Sequence, residues 1–481
     1  MLIWLVLVVF ALRQDDDALL LPRLDAEALS AKPGEERWTG IYFQGEPVGY
    51  AMTSESTTKD GGVFIEQQSR FRLANMGQLQ DVVTAGAALL AKDRSLSRFD
   101  FLLSADPVQL VARGEVQPGG LVIEVLQGDE THTLELPLTD RPHIALSLGP
   151  SLAGREYTVG DSFSVPYFDP VTLAQSEMTL RVVDVELLVN AEEAYWLERS
   201  FQGMTSRMLI TPAGEVIREE SAMGLSLQRM SRDEALALVE AAQPVDMVRM
   251  AAIELKKPLP KARRLAVTQL KVSGIPLERL RAYPPIQDVE GDVVTIRMPL
   301  LAEIPREPLD AASPENDAFL EHTVFLPASH PEIQAKAAEL VEEATDRRDA
   351  AKRIHDWVYD SVEKRPVIGV PNGLEVLRSL QGDCNEHTAL YVSLARAAGI
   401  PARIAAGVVY AEPGDGTGAF FYHAWPEVYL GGQTPWVPID PTLNTFPADA
   451  THFKLVEGDL DRQIEIISMI GQLGIEVLDA R

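Results

Sequence analysis

The hydrophobic period of this chain changes once along its length, and that change sets what it can fold into. From about Trp38 to Arg232, short apolar runs recur roughly every 8–12 residues with turn residues between them and no helical crossover. Trp38 to Met52 (WTGIYFQGEPVGYAM) reads as two strands around the Gly45–Pro47 turn. Phe64 to Leu73 is half-alternating, and Gly119-Gly120 leads into Leu121 to Val125. Met178 to Val185, Ala194 to Phe201, Ser206 to Thr211 and Val216 to Glu220 repeat the pattern. Residues 35–235 are therefore expected to form an antiparallel β-rich domain, because parallel strands need long crossovers that are missing here. No motif in this stretch carries chemistry. His132 and His143 stand alone and read as solvated surface residues.

Asp233 to Ala242 is rich in Ala, Leu and Glu and predicts a helix. Lys256 to Arg264 (KKPLPKARR) is basic and interrupted by proline. It reads as a solvated linker edge, with contact to a membrane surface or anionic partner as the alternative. Leu265 to Met298 holds two or three strands, including Val293 to Met298. Pro299, Pro305, Pro308 and Pro314 then mark a boundary loop, so 236–320 is set apart as a β-rich connecting region. Beyond it the period becomes helical. Ser329 and Pro331 open a helix carrying Ile333, Ala337, Leu340 and Val341. Asp346 caps a second, with Ala350, Ile354, Trp357 and Val358 on one face. His355, beside that stripe, reads as a structural or surface histidine.

Composition narrows the function. With 46% hydrophobic residues among 481, the chain has ample material for a core and is not of disordered type. Acidic residues outnumber basic ones 71 to 43, a net charge of −28, which leaves no electrostatic footprint for nucleic acid. One cysteine, Cys384, excludes an intramolecular disulfide framework and any Cys-rich metal site. It is either an inert buried thiol or a working one. No His-x-x-x-His helix exists, so zinc hydrolysis is set aside and no cofactor or metal is implied. Met1 to Leu12 is apolar and shorter than the about 20 residues a membrane helix needs. It fits the core of a signal peptide, with Val9-Phe10-Ala11 as a cleavage site, although no Lys or Arg precedes it. The alternative is a buried N-terminal strand. Residues 1–34 are taken as a signal or anchor leader and linker, and the protein as exported, periplasmic or envelope-associated.

The chemistry concentrates in Leu374 to Tyr410 and in the strands after it. Leu390, Leu394, Ala397 and Ala398 recur at helical spacing, and Gly399 with Pro401 ends the helix. Asp383 and Glu386 form a relative of the capping box, which puts Cys384 in the first turn. Unpaired N–H groups and the helix dipole there favour an anion, so the thiol is expected to fall from about 8.5 into the range of roughly 3.5–7.5. Acyl attack also needs a proton donor and a group to orient it. His423 lies in the β-rich run Phe420 to Leu430, and Asp440 ends the short strand of Trp436 to Thr442. A nucleophile on a helix tip with base and orienter on neighbouring strands is the layout of papain-like thiol enzymes.

These residues also carry a resemblance. A Gly-Asp-Cys helix start, a helix closed by Gly-Ile-Pro-Ala-Arg, a His-Ala-Trp strand and an Asp-Pro-Thr ending resemble the transglutaminase-like superfamily, its bacterial members in particular, over about 331–455. The resemblance implies a papain-like α+β catalytic domain over 321–481, with Cys384 as nucleophile, His423 as acid/base and Asp440 as orienter. The fold class is thus multidomain, all-β followed by α+β. Pro426 departs from the family strand and suggests an edge or bulge near His423. The Cys384 N–H is one expected oxyanion donor, and Gln381 is the candidate for the second. Trp425 and Trp436 are expected to pack, with walling of the cleft as the alternative; His387 reads as a surface or supporting group. The loop Glu412 to Gly418 is an exposed loop or a cleft rim. The implied reaction is acyl transfer at a protein or peptide-like amide, ending in protease- or amidase-type hydrolysis. The alternatives are cross-linking to an amine, and an envelope-binding protein whose β-rich region contacts the partner while the C-terminal domain serves as adaptor.

Overall fold

The structure is a computed structural model that describes residues 36–481 apart from 76–77, 106–107, 128–129, 172, 222–223, 242–244, 247–250, 312–313, 366–369, 413–417, 459–464 and 467–468. The leader, and the Glu412 to Gly418 loop apart from its two ends, lie outside the described residues. The chain forms two compact units, one of residues up to 245 and one of 246–481, with 75–78 grouped with the second.

The first unit is one antiparallel sheet in which fourteen strands follow one another. The first eight, from Glu36–Phe43 to Glu130–Pro137, form one meander, and the last six, from Ser162–Asp169 to Leu225–Met230, form another. The two join where Glu36–Phe43 pairs with Leu225–Met230, Trp38 lying opposite Met230. Period-two patterning explains the faces. Leu121, Ile123 and Val125 are wholly buried while Glu124 between them is exposed. The first hairpin turns at Gln44 and Gly45, both at positive φ (50° and 89°), the conformation of a two-residue hairpin loop. His143 is half-buried, not a surface residue; its backbone bridges to Tyr167 and its Nδ1 is out of contact with solvent. The expected helix is present as Arg232–Ala241.

Among the described residues, the second unit combines helices with two larger sheets and a two-stranded pair, Glu363–Lys364 with Gln381–Gly382. One sheet orders the strands Ile253–Glu254, Ala419–Tyr429, Ala402–Ala411 and Phe453–Glu457, with Trp436–Pro438 also paired to Ala419–Tyr429. The other orders Gln287–Glu290, Val293–Arg297, Val267–Ser273 and Gly474–Ala480. The helix Cys384–Ala397 is central, packed by the helices Pro331–Val341, Arg347–Ser361 and Gly373–Ser379 and by the strand Ala419–Tyr429. Its sequence pattern predicts one apolar stripe. Instead it is buried on every side, from Thr388 through Arg396, as an all-round enclosed helix must be. Three of its buried hydroxyls are matched within the unit: Thr388 Oγ1 donates to Ala424 O, Tyr391 OH to Ala351 O and Ser393 Oγ to Ala389 O. The helix ends at Gly399 (φ +78°), with Ile400 N–H donating to Ala395 O and Gly399 N–H to Arg396 O, a Schellman closure.

The segment Lys256 to Arg264 is solvated, as expected, at Lys256, Lys257, Pro258, Pro260, Lys261 and Arg264, but it is pinned at three residues. Leu259 N–H donates to Tyr410 OH, Ala262 is buried, and Arg263 pairs with the buried carboxylate of Asp449. No described helix is long and apolar enough to cross a membrane, a statement that does not bear on membrane strands.

Candidate active site

Asp383 caps the central helix. Its carboxylate accepts from Asn385 N–H, and the Glu386 carboxylate accepts from the Asp383 N–H in return, so Cys384 becomes the first helical residue. Thr388 of the same helix donates to the carbonyl of Ala424, the residue after His423, and the Ala424 backbone is close enough to Cys384 to favour its thiolate. Helix start and histidine strand therefore meet at this point. The expected direction of the thiol is reversed. Burial is the largest influence and raises it, the carboxylates of Asp383, Glu386 and Asp440 add to this, and the Ala424 backbone works the other way. The result stands well above the ordinary thiol value, a direction that favours the neutral thiol.

His423 donates from Nε2 to Asp440 Oδ2 at 2.8 Å. A carboxylate can only accept, so the Nε2 proton is assigned and Nδ1 is the ring nitrogen that can take up a proton. Asp440 is wholly buried and its carboxylate is saturated. Oδ1 accepts from the N–H groups of Thr442 (2.7 Å) and Leu443 (3.0 Å), while Oδ2 accepts from His423 and from His452 Nε2 at 3.0 Å. Burial alone would raise this carboxyl; the two histidines overcome it and hold it well below the usual carboxylate range. His355 is also buried, its Nε2 placed 3.1 Å from the Asp440 carbonyl, which makes it structural. No sequence pattern singles out His452. The only local signal is Asp449-x-x-His452 ahead of a hydrophobic strand.

Trp425 is buried and stacks on the His423 ring (centroids 6.2 Å apart, 21° between planes) while meeting His452 edge-on at 5.1 Å. Its role is packing. Trp436 packs away from this cluster, against Phe319, Tyr429 and the Arg403 guanidinium. His387 is buried, not on the surface, with Nδ1 placed 2.6 Å from Asp383 O and burial lowering its affinity for a proton. Gln381 lies on the two-residue strand Gln381–Gly382, parallel to Glu363–Lys364, and its side-chain oxygen accepts from Arg365. Pro426 sits in a ladder to Ala402–Ala411 that runs without a register shift, so no bulge forms there. Its carbonyl accepts from Ile439 N–H, on the side where the short strand Trp436–Pro438 ends, and its missing N–H faces that local edge.

Gly407 stands opposite His423, and a Cβ there would lie 2.0 Å from Phe453 O. The close approach of the strand Phe453–Glu457, with its register shift beside Gly407, brings His452 onto Asp440. Gly407→Ala is expected to destabilise the second unit by about 1–3 kcal/mol through overpacking. A denaturation curve matching the parent would contradict this account of the strand contact.

Donor atoms of His423, Asp440 and His452 lie within 4.8 Å of one another, a set of types able to hold a metal ion. In this structure both Nε2 atoms point at the same carboxylate oxygen at hydrogen-bond distance. The arrangement is an acid–base chain of His423, Asp440 and His452, part-buried at His423 and buried at the other two.

The model of the transglutaminase-like superfamily matches residues 334–441. This chain carries a transglutaminase-like domain. The match runs from the first of the four helices to the residue after Asp440 and includes Cys384 and His423; Asp449 and His452 fall beyond it. No curated protein matches the chain. Among solved structures it is similar to a candidate cysteine protease from Cytophaga hutchinsonii, at 16% identity over 48% of this chain and 86% of that one, with a TM-score of 0.28. It is also similar to the periplasmic domain of TgpA from Pseudomonas aeruginosa bound to ethylmercury, at 15% identity over 41% and 90%, with a TM-score of 0.25. A β-barrel-like protein from Brucella abortus, of a domain of unknown function, is similar at 10% identity over 42% and 96%, with a TM-score of 0.33. The transglutaminase-like domain supports a thiol-dependent enzyme in the broad sense.

Proposed function

We propose that the transglutaminase-like domain hydrolyses protein or peptide-like amides through a thioester on Cys384, with His423 as acid/base and Asp440 as its orienter. The buried His423–Asp440 hydrogen bond, beside the helix start that carries the thiol, is the observation that supports this reading. With the thiol neutral, its proton passes to His423 as sulfur attacks the amide carbon. His423 then returns that proton to the departing amine, leaving the acyl group on sulfur. Water, deprotonated by His423, attacks the thioester, and the thiol and a carboxylic acid are released. The N–H of Cys384, which as the first helical residue has no intrahelical acceptor, is one donor to the developing oxyanion; we assign the second to the Gln381 amide, fixed through Arg365. The apolar leader, Met1 to Leu12, supports action outside the cytoplasm, at the envelope.

Two measurements test this. Screening peptide and protein substrates with the parent and Cys384→Ala should give amine release by the parent alone, with no incorporation of an added primary amine. Incorporation would replace hydrolysis with cross-linking, and ligand retention without turnover, unchanged in Cys384→Ala, would return the protein to the binding class. Iodoacetamide labelling of Cys384 should be slow at neutral pH and rise on the alkaline side of an ordinary thiol. A labelling rate already at its plateau below pH 7 would reveal a standing thiolate and remove the neutral-thiol step.

A further inference from the structure

We infer that His452, held by Asp449 and Arg263, is a positioning residue of the acid–base chain: as an imidazolium it locks the Asp440 carboxylate onto His423. The inference rests on the proposed roles of His423 and Asp440, and it extends that chain by three residues that neither the family match nor the Cys-His-Asp pattern includes.

The protonation state comes from hydrogen-bond accounting. His452 Nε2 lies 3.0 Å from Asp440 Oδ2, and Nδ1 lies 2.9 Å from the Asp449 carbonyl oxygen. Both partners can only accept, so both ring nitrogens must donate, and an imidazole that donates twice carries a positive charge. The surroundings agree. His452 is buried, which works against the charge. Asp449, whose Oδ1 is 3.6 Å from Nδ1, and Asp440 overcome this and push the imidazolium up to about 9. Asp449 is in turn held as an anion. Its Oδ1 accepts from the N–H and hydroxyl of Thr451, and its Oδ2 forms an ion pair with Arg263 Nη1 at 2.8 Å. Charges therefore alternate along the chain, Arg263, Asp449, His452, Asp440, before reaching His423. The other ring facing His452 is Trp425, which carries no charge.

This arrangement has a purpose a lone carboxylate would not serve. With two backbone N–H groups on one oxygen and two imidazoles on the other, Asp440 has no rotation left to it, and misplacement by about 1 Å is worth up to about 100-fold in rate. The His452 charge also tempers the pull of Asp440 on the His423 proton. The sign is definite: the folded His452 holds its proton more tightly than the unfolded one. Its contribution is therefore full below about pH 6.5 and is lost as pH rises through about 9.

The test uses the full chain and needs no substrate. Nitrogen-15 spectra of the imidazole rings should give His452 two bound protons from neutral pH to about 9, and the rate of Cys384 alkylation should be followed against pH in the parent, His452→Gln, His452→Leu and Asp449→Asn. His452→Gln keeps a donor to Asp440 and removes the charge, so it should stay folded with a displaced alkylation profile. His452→Leu should lower the alkylation rate further, by about 10-fold or more. A neutral His452 ring at pH 7, or a His452→Gln profile that overlays the parent while only the melting temperature falls, would overturn the inference. Stoichiometric zinc uptake abolished by His452→Gln would overturn it too, in favour of a metal site. Failure of the underlying assignment reads differently: alkylation indifferent to His423→Ala would sink it, whatever the His452 spectra say.

Discussion

Asp440→Asn is expected to lower turnover about 10⁴-fold while the protein stays folded. The reason lies in which oxygen is replaced. Oδ1 is held by the Thr442 and Leu443 N–H groups, so the asparagine carbonyl stays there and its NH₂ takes the place of Oδ2. That NH₂ then faces the Nε2–H of both His423 and His452, donor against donor. His423 can escape only by moving its proton to Nδ1, which removes the base the thiol needs. Asp440→Glu should not rescue the activity, because a longer side chain leaves the Oδ1 turn. The measurement is kcat with the best substrate from the screen, set beside a melting curve. Loss of less than about tenfold in kcat, with His423→Ala still inactive, would show that His423 needs no orienter.

The second large effect is on stability. Glu427 and Lys454 form a buried ion pair, Nζ lying 2.8 and 2.9 Å from the two carboxylate oxygens, with Arg403 and Glu457 completing the group. Glu427 sits four residues beyond His423, and Lys454 two beyond His452, so the pair ties together the strands on either side of Ala402–Ala411 that lead to the two histidines. Removing one member leaves the other charged in a low-dielectric site, and Glu427→Gln is expected to cost about 3–5 kcal/mol, lowering the melting temperature by roughly 10 °C. Replacing both, as Glu427→Leu with Lys454→Met, should recover most of the loss, since two apolar side chains leave nothing unpaired. Burial alone would raise the Glu427 carboxyl; Lys454 and Arg403 overcome it and hold it below 4.5. Its contribution is therefore full above pH 4.5 and is lost as pH falls through the folded value. A single variant as stable as the parent would show that water reaches the pair.

What is legible in the sequence is local. Alternation in Leu121 to Val125, the cap and closure around the central helix, and the short motifs around Cys384, His423 and Asp440 each depend on residues a few positions apart. The illegible part depends on pairing across the fold. The central helix lies inside the domain, so even Thr388, Ser393 and Arg396 are buried, which no single-helix pattern reveals. Arg263 reads as part of a solvated basic run because its partner, Asp449, comes from a loop far along the chain. The direction of the Cys384 thiol escapes a sequence reading for the same reason. The helix dipole can be read from sequence, whereas burial and the nearby Asp440 carboxylate cannot.

The meander of the first unit has a kinetic consequence. Almost every pairing in it joins strands adjacent along the chain, so each hairpin can form soon after its own residues are made. Along the order of fourteen strands, the exception is the junction of Glu36–Phe43 with Leu225–Met230, whose partners lie roughly 190 residues apart and must close a long loop. Joining the two meanders is thus the late event in folding. During synthesis the first eight strands wait with one long edge unpaired until the last strand of the unit emerges.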